Sequence, residues 1–175
     1  AALVAMEINA ALPCGETPAD TEDYEGFYHL VSMSGDVACA KLHYIVRDHD
    51  ADKFAARLET LKEISKQMNL KWGFGTVKLT IDEQYRNMAE IIEDGNMHLI
   101  ENAKKACAAA DVTPLILPIR GGTDGARLSF MGLPCPNLGT GGHGYHGPFE
   151  HITAEGMDKA VDVMIELVKL YAEMK

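Results

Sequence analysis

The sequence is poor in positive charge, in tryptophan and in long apolar runs. Sixteen Lys and Arg stand against 26 Asp and Glu in 175 residues, for a formal charge of -10 and a pI near 5.1. That balance argues against a non-specific nucleic-acid binder, which needs clustered cations to displace counterions from phosphates. No stretch approaches the roughly eighteen apolar residues of a membrane span, and no basic segment precedes an apolar one as in an export signal. Neither nucleic acid nor a membrane is therefore expected as a partner, and the cytoplasm is the expected compartment. Cysteine is scarce as well. Cys14, Cys39, Cys107 and Cys135 stand far apart, with neither a Cys-x-x-Cys pair nor a disulfide-dense pattern, so reduced structural thiols are expected. Trp72 and the nine methionines show no spacing suited to a cofactor and are expected in the core or as gap fillers.

What is present is a chain 47% apolar, enough for a real core in one compact domain or two small ones. Ala1 to Leu12 has helical spacing without an N-cap, as if a helix were entered part-way, which suggests a fragment of a larger protein. Pro13 to Asp23 reads as a loop. Phe27–Met33 and Val37–Val46 read as two strands joined by Ser34-Gly35-Asp36, with Leu42, Tyr44 and Val46 on one face. Asp50 or Asp52 caps a helix in which Phe54, Leu58, Leu61 and Ile64 recur at helical spacing. Thr76–Asp82 reads as a further strand, with Val77, Leu79 and Ile81 on one side, and leads to a short helix from about Asn87 to Ile92. This order is compatible with an open-faced α+β sandwich.

Around Asp94-Gly95-Asn96 the chain is expected to change domain, giving residues 1–94 and 95–175. In the second part a helix spans His98–Ala110, and Leu115-Ile116-Leu117 forms a short buried strand. Thr153 opens an amphipathic helix whose apolar side is Met157, Val161, Met164, Ile165, Val168 and Leu170. The pattern is that of α/β layers.

Two glycine-rich loops follow the short strand: Arg120-Gly121-Gly122-Thr123-Asp124-Gly125-Ala126, and Gly139-Thr140-Gly141-Gly142-His143-Gly144-Tyr145-His146-Gly147-Pro148-Phe149-Glu150. Loops of this kind let backbone approach a ligand closely and carry functional side chains. The fork of Arg120 could grip a carboxylate, or could pair with Asp124. His146 has the chemistry of a zinc ligand, although most loop histidines are simply solvated. His143 and His151 flank it. Arg47, at the end of the second strand, has Asp48 and Asp50 nearby to neutralise it. Glu150 and Asn87 admit both functional and plain readings. Nucleotide binding is disfavoured, because the loops lack the Lys of a phosphate-binding loop and the Gly-x-Gly-x-x-Gly spacing.

The two loops, with Leu128-Ser129-Phe130-Met131-Gly132-Leu133-Pro134-Cys135-Pro136-Asn137 between them, resemble the C-terminal part of peptidase T, the family of zinc-dependent tripeptide aminopeptidases. The resemblance continues upstream through Tyr24-Glu25-Gly26-Phe27-Tyr28-His29, His43-Tyr44-Ile45-Val46-Arg47-Asp48 and Tyr85-Arg86-Asn87-Met88. It implies a ferredoxin-like α+β lid and dimerisation domain followed by the C-terminal portion of an α/β catalytic domain. It implies two zinc ions per active site, with His146 a ligand to one of them and His143 and His151 outside the site. It further implies that Arg120 and Arg47 bind a small peptide substrate, that Asp124 orients its loop, and that the lid forms a homodimer. The remaining zinc ligands and the base belong to an upstream half, so no catalytic residue is assigned and the chain alone is expected to be inactive. Alternatives are a non-catalytic dimerisation module, or a carboxypeptidase, dipeptidase or deacylase of the same superfamily.

Overall fold

The structure, a computed structural model, describes residues 1–83 and 86–174, so Tyr85 lies outside the described residues. Two compact units are present: Ala1–Glu83 with Pro118–Arg120, and Gln84–Leu117 with Gly121–Lys175.

The first unit is built on an antiparallel hairpin of β1 (Phe27–Gly35) and β2 (Ala40–Arg47). Phe27 pairs with Arg47 at one end and Gly35 with Ala40 at the other, and Val31 bulges where the register shifts between Leu30 and Ser32. The turn falls later than the expected Ser34-Gly35-Asp36. Asp36 accepts from the backbone N–H groups of Ala38 at 2.7 Å and Cys39 at 3.0 Å, a side-chain mimic of a backbone turn. Those two N–H bonds hold its carboxyl below the usual range, and Val37 is left out of the strand and 90% exposed.

Helix α1 (Ala2–Ala11) and the long helix α2 (Ala51–Trp72) pack on this hairpin. Asp50 is the N-cap of α2, accepting from Lys53 N–H at 2.9 Å, and Gly73 ends the helix at φ 108°, a conformation that costs glycine least. Leu61 and Ile64 of the expected stripe are buried. Tyr44 donates to Asn9 at 2.8 Å, and Lys71 and Trp72 both donate to Glu7 at 2.9 Å. Trp72 is thus not a core residue. The residue is 41% exposed and its indole N–H is satisfied at the surface by Glu7.

The expected strand over Thr76–Asp82 does not form, and the described sheet has two strands. The reason is local. The side-chain amide of Asn69 accepts from Val77 N–H and donates to Val77 C=O, each at 2.9 Å, so the backbone groups a ladder would need are already satisfied by α2.

The second unit holds α3 (Ala89–Glu93), α4 (His98–Ala109), α5 (Asp124–Phe130) and α6 (Ala154–Glu173). Its core is Ala106, Ala110 and Val163, with Cys107, Val112, Leu167 and Leu170 around them. The buried side of α6 therefore runs through Val163, Leu167 and Leu170, while Met157, Val161, Met164, Ile165 and Val168 are about half exposed or more. Thr153 caps α6 by accepting from Gly156 N–H at 3.0 Å. Leu115, Ile116 and Leu117 form neither a strand nor part of the core, being 77%, 63% and 70% exposed. A continuous apolar run does not by itself distinguish a buried strand from an uncovered segment.

Arg57 of α2 ties the first unit together. It donates to Asp48 at 2.8 Å and also bonds Glu16, with only 14% of its own side chain and 1% of that of Asp48 exposed. Removing one partner of such a pair strands a buried charge. Arg57→Met is expected to lower unfolding stability by about 3–5 kcal/mol, and Arg57→Met with Asp48→Leu to recover much of it, as read by urea denaturation followed by circular dichroism.

Candidate functional site

Within the first unit, the start of β1 and the end of β2 gather charged and aromatic side chains. Gly26 precedes β1 and is buried. A Cβ there would overlap Asp48 Oδ2, Arg57 Nε and the Arg47 carbonyl oxygen, so only glycine lets the Tyr24–Tyr28 segment lie this close to β2. Phe27 is the cross-strand partner of Arg47, and its ring carries the guanidinium of Arg120 at 4.9 Å, a cation–π contact. Arg120 also donates to the Thr21 carbonyl and, at 2.5 Å, to Thr21 Oγ1. Its Nε is buried without a hydrogen-bond partner among the described residues.

Phe27 thus relates to both arginines singled out by the sequence, to Arg47 through strand register and to Arg120 through its ring. Arg47 is partly buried at the strand end. Of the two acids near it in sequence, Asp48 pairs with Arg57 and Asp50 caps α2. The fork of Arg120 is held by Thr21, a residue 99 positions away that no sequence signal marked. Phe27 and His49 were not singled out either. His49 packs edge-on against Tyr24 at 5.2 Å.

In the second unit the Arg-Gly-Gly-Thr-Asp-Gly segment is only partly a loop. Thr123 Oγ1 accepts from Ala126 N–H at 3.2 Å and caps α5, which begins at Asp124. The combination of a β-hydroxyl followed by an acid is the signal that identifies this short helix. Thr123 also accepts from Asn137 Nδ2 at 3.2 Å, while buried Ser129 accepts from Cys135 N–H at 3.0 Å, so the Leu-Pro-Cys-Pro-Asn stretch is held against α5.

The histidine loop is closed by an isolated antiparallel bridge. His143 N–H donates to His151 C=O at 2.8 Å and His151 N–H to His143 C=O at 3.0 Å. Inside the closed loop, His146 has φ 63°, a left-handed conformation that is uncommon for a residue with a Cβ. Its N–H donates to the Glu150 carboxylate at 3.1 Å, so Glu150 acts on the loop backbone. Gly144 is also left-handed at φ 64°, and a Cβ there would press on Phe149 O at 3.1 Å. The His146 side chain is exposed. Among the described residues no group of three or more His, Cys, Asp or Glu is placed to hold a metal ion. His146 offers one imidazole and would need ligands beyond these residues to complete a zinc site.

Burial lowers the His49 pKa below the ordinary imidazole value of 6.5, with Asp48 opposing and Arg120 reinforcing the shift. A histidine whose folded-state pKa is depressed takes up its proton first in the unfolded chain, so its destabilising effect is absent above the unfolded value near 6.5 and grows as pH falls from there through the lower folded-state value. Because the ring is partly exposed, solvent screening moderates the effect. The unfolding midpoint is expected to drop between about pH 7.5 and about pH 5.5, and to drop less in His49→Gln, as thermal melts at the two pH values read directly.

No family model matches the chain. In sequence it is similar to peptidase T of Desulfitobacterium hafniense, at 52% identity over 171 residues, 98% of this chain and 42% of that protein. It is likewise similar to peptidase T of Aeromonas hydrophila, at 53% over 167 residues, and of Bacillus licheniformis, at 48% over 173 residues. The chain spans 41% to 42% of the length of these relatives. In structure it is similar to a tripeptidase from Staphylococcus aureus, with TM-score 0.72 and 16% identity, covering 97% of this chain and 46% of that one. It is also similar to aminopeptidase PepT from Bacillus cereus, with TM-score 0.62 and 19% identity, covering 98% of this chain and 45% of that one. At those identities the likeness is one of fold, and it bears out the α+β class expected from the sequence. By sequence and by fold, this chain is related to peptidase T and matches a segment 42% as long as the whole.

Proposed function

We propose that this chain supplies part of a cytoplasmic, zinc-dependent tripeptide aminopeptidase. In this reading residues 1–94 serve as a lid and dimerisation domain, and residues 95–175 as the C-terminal part of the catalytic domain. The observation that carries it is 52% identity to a protein named peptidase T across 98% of the chain. The names of the two fold neighbours, a tripeptidase and an aminopeptidase, agree with it. A homodimer through the hairpin unit belongs to the same reading, supported by the exposed Val31 (44%) and Met33 (46%) on β1.

Zinc held in the catalytic domain would supply an activated water and a Lewis acid for the peptide carbonyl. On this reading His146 contributes one imidazole, and its loop has the rigidity a ligand needs: the His143–His151 bridge closes it and Glu150 holds the His146 N–H. Arg47 and Arg120 bind the substrate end, Arg120 by exchanging its bonds to Thr21 for a substrate carboxylate, which a planar fork can grip bidentately. The general base and the other metal ligands are assigned to no residue of this chain.

The pure chain is expected to release no amino acid from tripeptides. In a chimera that restores the upstream segment from the Desulfitobacterium hafniense relative, His146→Ala is expected to lower kcat about 100-fold or more, while Arg120→Ala mainly raises KM. Turnover by the pure chain, or an active chimera indifferent to His146→Ala, would overturn the reading.

A further inference from the structure

The bridge that closes the histidine loop carries an unused pair of imidazoles. His143 and His151 exchange both backbone hydrogen bonds, which makes them a directly opposed antiparallel pair whose side chains stand on one face. Their rings lie side by side, with centroids 5.5 Å apart and planes 27° from parallel, and both residues are exposed. His151 Nδ1 is 2.8 Å from the Phe149 carbonyl oxygen. A carbonyl only accepts, so Nδ1 must carry the hydrogen, and in the neutral ring the lone pair then sits on Nε2. An imidazole whose one nitrogen donates to a backbone carbonyl while the other is free is the arrangement that orients a metal-binding histidine. Stacking and the carbonyl bond leave the pair with no evident task in the core, since neither ring is buried.

We propose that His143 and His151 form a two-imidazole site for a divalent transition-metal ion, with water completing the coordination. Imidazole nitrogens suit Zn²⁺, Cu²⁺ and Ni²⁺ rather than the hard cations that take oxygen ligands. Two nitrogens each about 2.0–2.1 Å from a tetrahedral ion are roughly 3.3 Å apart. An imidazole lone pair lies in the ring plane, so binding one ion requires the two stacked rings to turn toward a common point by side-chain rotation, a movement open to them because both residues are exposed. The bound ion links the two strands of the bridge and stiffens the loop between them. The site does not use His146, so it stands or falls independently of the peptidase reading.

The test uses the whole chain and Zn²⁺ alone. In the parent chain the ring resonances of His143 and His151 are expected to shift together on titration, followed by NMR of the imidazole groups. His143→Phe and His151→Phe each keep an aromatic ring on the bridge and remove its nitrogens, and each is expected to weaken Zn²⁺ binding about tenfold or more by calorimetry. His146→Ala is expected to leave it unchanged. Failure of the two rings to respond in the parent chain overturns the assignment without relying on any variant. Parent-like affinity in either Phe variant, or loss of binding in His146→Ala, overturns it as well.

Discussion

The buried guanidinium of Arg57 is the constraint on which the first unit depends. It joins Glu16, 41 residues away in the loop before β1, to Asp48 just beyond β2 and to α2 itself. Its charge survives burial because desolvation, which opposes it, is outweighed by the hydrogen bonds to Asp48 and Glu16. An arginine suits the position because its planar fork can satisfy two acceptors in different directions, which a lysine cannot do in a fixed geometry. The same guanidinium lies over the Tyr28 ring at 5.2 Å, so the first residues of β1 are fixed against the same point.

From that anchor the arrangement of the arginine cluster follows. Asp48 has its place set by Arg57, and its chain neighbours Arg47 and His49 are carried with it. Gly26 lets the next segment close over the ion pair, and Phe27 then offers its ring to Arg120. A charged pair and one missing Cβ therefore position the aromatic and cationic groups around Phe27. The histidine loop of the second unit is held at its backbone: two reciprocal hydrogen bonds close it, and the Glu150 carboxylate holds the N–H of its left-handed residue.

Much of this was legible in the residues. The hairpin, the long helix capped by Asp50, the last helix capped by Thr153 and the relation to peptidase T could all be read from spacing, caps and motifs. The misreadings have particular causes. Thr76–Asp82 has the alternation of a strand, but Asn69 already occupies the backbone of Val77. Leu115–Leu117 has the composition of a buried strand, and composition does not say whether anything covers it. Thr123-Asp124 reads as loop because the glycines around it obscure an ordinary helix cap. Trp72 reads as a core or gap-filling residue for want of any cofactor spacing, whereas its indole N–H bonds Glu7 at the surface.

The sequence by itself determined the two long helices and their caps, the hairpin and the acidic charge, because these rest on interactions within a turn or two of the chain or on composition alone. Tertiary structure decided which partners the arginines take. Arg120 meets Thr21 across 99 residues and Arg57 meets Glu16 across 41, and no periodicity relates such positions. It also decided the conformation of His146, where the motif supplied the residue but the closed bridge and Glu150 set its backbone. Local rules act through neighbouring hydrogen bonds, whereas the choice among many chemically similar acids and hydroxyls is made only when packing brings one of them within reach.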